Sequence, residues 1–435
     1  MWYISNGPMG TLSSRRHNHR KLLIYVLQAT LLQCLIAALS PLFSLALRTS
    51  ARALFGRTLG VSVIFEDVLK YFGFADAAMR GKMPYRDYLI EYPVLSLPFI
   101  LLPRLFAIGR LSYAAAFAIE MLLINALAVY LVARLVQMRA GLEQAPGRLR
   151  WYTHFFFALS PLIVARFDLV PMALSVAAVY AWFSGRNVLG GALTGIGTLV
   201  KFFPAVIAGP GLIWEASRSR LRRWWGTGTC LATIGLGVAV WFALGQAAAW
   251  NSLEYHLGRG IEVGSLYAGV LMILSKLTGA KIACLYGHGA MEVITPWAGA
   301  ALALAFPLQA AALLLALWRF YRSGMKDPIR YCGAAVLAFV IFGKVLSPQF
   351  LIWLMPFVAL LEGSTGRRAR PLFLICCLGT TALFPWAFLE LITLAPFAIA
   401  LLNLRNLLLL VLLGLLLFGP DSPVDRPAAS SGPAS

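Results

Sequence analysis

The sequence predicts an all-α polytopic membrane protein, and three observations carry that prediction. The 435 residues are 60% hydrophobic and only 12% charged, with a mean hydropathy of +0.78, whereas soluble globular domains carry about twice that share of charge. Apolar runs near the length that crosses a bilayer, about 20 residues, recur from residue 22 almost to the C-terminus. The basic residues sit in short clusters between those runs, as topology signals do. A bilayer offers the backbone no hydrogen-bond partners, so the spans are expected to be helices.

The net charge of +20 would suit nucleic acid only if it lay along one face, and it does not. No nucleic-acid partner is expected. Cys34, Cys230, Cys284, Cys332, Cys376 and Cys377 lie mostly in apolar stretches without CxxC spacing, so neither a zinc site nor a disulfide framework is predicted.

Residues 1–21 read as a basic cytoplasmic N-terminus. The apolar stretch 22–47 is too long for a signal-peptide core and is expected to be a retained anchor. Five basic clusters, at 15–21, 139–150, 218–223, 319–330 and 367–370, should all face the cytoplasm. To satisfy them, helix 22–47 leaves the cytoplasm and 48–112 forms a large first outer loop, with the proline-broken stretch 94–109 lying at the interface. Crossings then follow at 113–137, 151–166, 169–184, 187–200, 204–216, 225–246, 293–318, 331–343, 350–362, 372–386 and 402–418, about twelve in all. A second large outer loop is expected at 247–292. One transmembrane domain thus covers 22–418, and the Pro/Ser/Ala-rich tail 419–435 is expected to be disordered.

This threading collects the remaining ionisable residues on the outer side. The first outer loop holds Glu66, Asp67, Lys70, Tyr71, Asp76, Tyr85, Asp87, Glu91 and Tyr92; Arg166 and Asp168 bound a helix, and Lys201 follows another. Glu254, His256, Arg259 and Glu262 come from the second loop, and Lys344 with Ser347-Pro348-Gln349 closes the set. Charges at membrane depth are expensive and usually line a cavity or pathway. Cations suit a phosphate, and a carboxylate can deprotonate an attacking hydroxyl. Plainer readings stand beside these. Glu66 and Asp67 also fit ordinary loop acids, Lys201 a snorkelling lysine, Arg166 and Asp168 a local ion pair, and His256 a structural histidine. Tyr71, Tyr85 and Tyr92 are candidates to stack on a sugar.

The order of motifs resembles a known family. Asp67-x3-Tyr71, Gly81-x2-Pro84-Tyr85-x-Asp87 with Glu91-Tyr92-Pro93, Arg166-Phe167-Asp168, Gly195-x-Gly197-x3-Lys201-x2-Pro204 and Lys344-Val345-Leu346-Ser347-Pro348-Gln349 together look like the polyprenyl-phosphate-mannose-dependent mannosyltransferases of glycosyltransferase family 87. That family is a branch of the GT-C membrane superfamily, and the likeness covers residues 20–365. It implies a GT-C-type fold, a catalytic aspartate at Asp67 with Glu66 as the competing acid, and donor-phosphate contacts at Lys201, Arg259 and Lys344. Sugar or acceptor contacts would fall to Tyr71, Tyr85, Asp87, Glu91, Tyr92, Arg166, Asp168, His256, Glu262 and Gln349. It further implies an inverting transfer from a polyprenyl-phosphate sugar to a lipid or glycan acceptor, among membrane lipids, in a bacterial inner (plasma) membrane with the site facing the periplasm or cell exterior.

No metal or other cofactor is demanded, because a leaving phosphate carries less charge than a diphosphate, although Glu66, Asp67 and Asp168 are the residues a divalent ion would use. The rival readings are a transporter or flippase of lipid-linked sugars, whose site should lie near the midplane, and an assembly partner without chemistry.

Overall fold

The computed structural model describes residues 12–55, 64–218 and 224–420; the tail beyond 420, residues 56–63 of the first outer loop and all but the first residue of basic cluster 218–223 lie outside them. Leucine- and alanine-rich runs with few breakers can satisfy their backbone in lipid only by coiling, and the described chain is mostly helical. It begins with α1 (Leu12–Phe55), α2 (Glu66–Met79), the short α3 (Leu97–Leu101) and α4 (Arg110–Ala140). Next come α5 (Ala145–Ala158), the single turn α6 (Ser160–Ile163), α7 (Leu169–Phe183), α8 (Asn187–Val200), α9 (Ala205–Arg218) and α10 (Trp225–Gly245). After α11 (Trp250–Gly258) and α12 (Leu266–Thr278), strands β1 (Ala283–Gly287) and β2 (Ala290–Ile294) form an antiparallel hairpin. The remainder is α13 (Ala298–Arg322), α14 (Pro328–Ile341), α15 (Met355–Leu360), α16 (Gly363–Thr381), α17 (Phe388–Ile392) and α18 (Pro396–Phe418).

Among the described residues six helical segments are long and apolar enough to cross a membrane: Arg16–Leu42, Arg110–Ala140, Trp225–Gly258, Ala298–Arg322, Gly363–Trp386 and Pro396–Phe418. The protein is an integral membrane protein. Each stretch expected to cross coincides with helix, but α5, α7, α8, α9 and α14 have only 14 or 15 residues. At about 1.5 Å per residue such helices reach about 22 Å, short of a hydrocarbon core of about 30 Å. The segment Val94–Phe106, expected at the interface, is a chain of short helical turns broken at Pro98 and Pro103. Phe106 and Ile108 at its end are 76% and 98% exposed, an apolar tip suited to the bilayer boundary.

The long helices are apolar outward as well as inward. Leu27, Leu31 and Leu35 of α1, spaced at i, i+4, are all exposed, as are Ile119, Leu123 and Leu127 of α4. With no hydrophobic gain between helices in lipid, packing and polar clasps hold the bundle. One clasp links three helices: Asn125 Nδ2 of α4 donates to Gln33 Oε1 of α1 at 2.6 Å, Gln33 Nε2 donates to Thr153 Oγ1 of α5 at 2.8 Å, and Tyr152 OH donates to Asn125 Oδ1 at 2.9 Å. Close approach supplies another. A Cβ on Gly191 of α8 would sit 1.9 Å from the Gly226 carbonyl of α10, and one on Gly195 would sit 2.9 Å from that of Cys230, so small residues let these two helices touch backbone to backbone.

The hairpin departs from the all-helical expectation. Its strand-like stretch of Cys284, Leu285 and Tyr286 turns at His288-Gly289, both with positive φ, the backbone sense that a tight hairpin needs. The hairpin sits inside the expected second outer loop, where it joins the helical α11 and α12.

Candidate active site

The site forms where α2 and the segment that follows it meet the far ends of α6, α8, α11, α14 and the turn before α15. α2 opens on Glu66 and Asp67, an arrangement favoured by the partial positive charge of a helix N-terminus. Glu66 points to solvent. Asp67, with its side chain 29% exposed, faces inward and forms an ion pair with Arg166, whose Nε lies 2.7 Å from Oδ2. Arg166 is buried and also donates to the carbonyls of Ile64 and Ala165 through Nη1, at 2.7 and 2.9 Å. Burial alone would weaken its charge; Asp67 and the neighbouring Tyr71 and Tyr92 override that and raise its pKa. Its guanidinium therefore stays positive and sits against one oxygen of Asp67, and among the described residues no hydrogen bond engages the other.

Two residues on, Asp168 begins α7, yet its carboxylate does not cap that helix. Instead it is fully buried against Lys201, whose Nζ lies 2.8 and 2.9 Å from its two oxygens, and against Trp353 Nε1 at 2.7 Å. Lys201 ends α8 in extended conformation, because the following Phe202-Phe203-Pro204 cannot continue the helix. The rings of Phe167, Trp353 and Phe350 surround its ammonium at 5.1, 5.4 and 5.6 Å, within the range of cation–π attraction. Phe167 also meets Tyr92 at 4.7 Å and Tyr71 at 5.5 Å, so one ring joins the Asp67 and Lys201 pairs into a single wall.

The second outer loop closes the opposite side. Lys70 Nζ pairs with Glu91 Oε1 at 2.6 Å, and His256 Nε2 lies 2.6 Å from the Glu91 backbone carbonyl. A carbonyl only accepts, so His256 must carry its proton on Nε2. Lys344 Nζ donates to the carbonyls of Leu257 and Arg259 at 2.8 and 2.7 Å. Those partners are neutral, and Arg259 itself has no acid within ion-pair distance among the described residues. Half-burial and the nearby Arg259 charge lower the pKa of Lys344. Glu262 ties the two strands of this corner together: its backbone N–H donates to Lys344 O at 3.0 Å, and its Oε2 accepts from Leu346 N at 3.1 Å. Burial drives its carboxyl up to about 7, against the opposing pull of the Leu346 N–H, Arg259 and Arg405.

The structure therefore brings together Asp67, Arg166, Asp168, Lys201, Glu91, His256, Arg259, Glu262 and Lys344 around one rim. It treats others differently. Tyr71 and Tyr85 are 1% and 2% exposed, so they pack the wall and present no face to a sugar; Tyr85, held at a φ of 68°, donates its hydroxyl to Tyr92 O at 2.9 Å and packs on Trp241. Asp87 points away, pairing with Arg86 at 2.9 Å and receiving Met83 N at 2.7 Å in a local turn. Among the described residues Gln349 has no side-chain hydrogen-bond partner. Glu66, Asp67 and Asp168 do not converge, and among the described residues no group of three or more His, Cys, Asp or Glu is placed to hold a metal ion. Trp353 and Phe167 went unrecognised as site residues. The clue to Trp353 was a buried indole N–H, which needs an acceptor, in a segment otherwise apolar.

The family model of glycosyltransferase family 87 matches residues 90–348, more than half of the chain, and the protein belongs to that family. Glu91, Arg166, Asp168, Lys201, Arg259, Glu262 and Lys344 fall within the match, while Asp67 lies before it. No curated protein matches the chain.

Proposed function

We propose that this glycosyltransferase moves a sugar, mannose, from a polyprenyl-phosphate donor to a glycolipid or glycan acceptor on the outer face of a bacterial inner membrane, with inversion at the anomeric carbon, on a GT-C-type scaffold. The observation that carries the reading is the separation of roles around the rim. Asp67 is held by Arg166 through one oxygen, and among the described residues its other oxygen has no hydrogen-bond partner and Arg259 and Lys344 have no acid partner.

In the proposed step the free oxygen of Asp67 takes the proton of the acceptor hydroxyl as that oxygen attacks the anomeric carbon. The bond from that carbon to the phosphate oxygen breaks, and the phosphate leaves with the electron pair. Arg259 and Lys344 stabilise the charge that develops there. A phosphate leaves as an anion without a proton, so one base suffices. Lys201 contributes less charge than the sequence suggested, since Asp168 already compensates it; its remaining N–H and its aromatic collar suit it to positioning. Asp67 is preferred to Glu66 as the base because the exposed Glu66 has, among the described residues, no partner to orient it.

The test is an assay of purified protein with polyprenyl-phosphate-mannose against a nucleotide-sugar donor, in wild type and Asp67→Asn. The reading expects transfer only from the lipid-linked donor and its loss in the variant. Undiminished turnover by Asp67→Asn would remove Asp67 as the base, and transfer from the nucleotide sugar alone would remove the donor class.

A further inference from the structure

The opposite end of the bundle holds a second concentration of charge that the proposed reaction does not use. α5 and α16 run parallel: Phe155 meets Phe373 at 4.8 Å, and Thr381 Oγ1 donates to Ala158 O at 2.6 Å. Counting back from that last contact, Arg148 lies ten residues before Ala158 and Arg370 eleven before Thr381, so both sit about 15 Å below it at one level. Arg166 follows the upper end of α5 and α6, which puts this level on the face away from Asp67.

Three features single out the place. First, both acids nearby are engaged by one arginine: Arg139 pairs with Asp327 at 3.0 Å and with Glu362 at 3.5 Å. Second, the other arginines face one another. Arg370 lies within electrostatic range of Arg148 and Arg367, and Arg148 within range of Arg139 and Glu362. Among the described residues neither Arg148 nor Arg367 has a hydrogen-bond or ion-pair partner. Third, Arg370 is only 5% exposed; its Nη1 donates to Leu361 O at 2.7 Å, but its buried Nε has no partner. A buried guanidinium with an unfilled donor is costly, and here it stands among like charges. Arg148 also lies at the end of the first turn of α5, with Arg367 one residue further into α16, near helix starts whose dipoles repel cations and attract anions.

We infer that Arg148, Arg367 and Arg370 form an anion site for a phosphate group on the membrane face opposite the active site. Guanidinium forks match phosphate oxygens, and a bound phosphate would fill the Arg370 Nε donor and relieve the repulsion. The phosphate belongs either to a phospholipid headgroup of that leaflet or to a soluble ion.

The experiment places the full chain in nanodiscs of phosphatidylcholine with and without phosphatidylglycerol, and counts the lipid it retains by native mass spectrometry. A second arm adds inorganic phosphate to phosphatidylcholine-only discs and follows thermal unfolding. Wild type is compared with R148Q/R367Q and with R150Q/R368Q, which removes the same charge from exposed neighbours. For a headgroup site, wild type and R150Q/R368Q retain phosphatidylglycerol, and R148Q/R367Q retains at least tenfold less. For a soluble ion, phosphate raises the unfolding temperature of the first two and not of R148Q/R367Q. The inference is overturned if wild type shows neither preferential retention nor phosphate stabilisation, or if R150Q/R368Q loses as much as R148Q/R367Q.

Discussion

The two ends of this bundle use the same residue types for different purposes. Away from the site, several charges finish helices. Glu215 of α9 accepts from Gly226 N and Thr227 N at the start of α10, at 2.8 and 3.2 Å. Arg330 Nε donates to Leu416 O, its Nη2 to Gly419 O, and Arg319 Nε to Leu417 O, at 2.6 to 3.0 Å, closing the end of α18. These contacts satisfy backbone groups that a helix end leaves open. At the site the partners are other side chains drawn from distant segments: Asp67 with Arg166, Asp168 with Lys201, Lys70 with Glu91. A charge that caps a helix serves stability. Charges set against one another, beside cations that have no acid partner among the described residues, create a polarised site, and the variants below ask whether that division of labour holds.

The largest effect is expected from Asp67→Asn, which keeps the shape and removes the base. Proton transfer by a positioned base contributes about 10²–10⁴-fold, so kcat should fall by about 10³, as read by a radiolabelled transfer assay; a thermal melt in detergent should show a folded protein with a lowered unfolding temperature, because the buried Arg166 loses its carboxylate partner. Glu66→Gln, by contrast, should leave the rate within a few-fold of wild type.

Breaking the buried pair should act on the fold instead. Lys201→Met leaves Asp168 fully buried with Trp353 as its remaining partner, and removing one member of a buried ion pair costs about 3–5 kcal/mol. The double variant Lys201→Met/Asp168→Asn should recover much of that loss. A double variant as unstable as the single would show that Lys201 matters through its aromatic collar and not through Asp168.

Much of this organisation was legible beforehand because periodicity and charge are local properties. The helical class and the membrane-spanning character follow from short runs of sequence, and Asp67, Arg166, Lys201, Arg259 and Lys344 stand out in the same runs as charges among apolar residues. Partnership is not local. Asp168 and Lys201 are 33 residues apart, and Trp353 lies 185 from Asp168, so nothing in either neighbourhood announces the contact. The same limit explains Tyr71 and Tyr85, whose aromatic character was visible and whose burial was set by Phe167 and Trp241. Length was legible only in part: an apolar run of 14 or 15 residues looks like a span until the structure shows such helices, α7 and α14 among them, buried within the bundle.

A smaller effect should follow from Arg259→Gln. If this residue holds the donor phosphate in both ground and transition states, KM rises by about tenfold while kcat changes little, the mark of lost uniform binding. A fall in kcat with KM unchanged would place its contribution on the leaving group alone.

The smallest effect concerns Glu262, and its sign can be worked out. The carboxyl titrates near 7 in the folded protein and in the ordinary carboxylate range, about 4.3, in the unfolded chain. Between those values the folded state holds the extra proton, so stability falls as pH rises through that window and levels off above about 7. Glu262→Gln keeps an acceptor for Leu346 N without the titration, so its unfolding temperature should lack this component and gain on wild type as pH rises from 5 to 8. Because Glu262 also fixes the corner that carries Lys344, wild-type KM should drift over the same window while that of the variant stays flat. A variant whose melting temperature and KM keep the wild-type pH dependence would assign the titration to another group and leave Glu262 as a spacer.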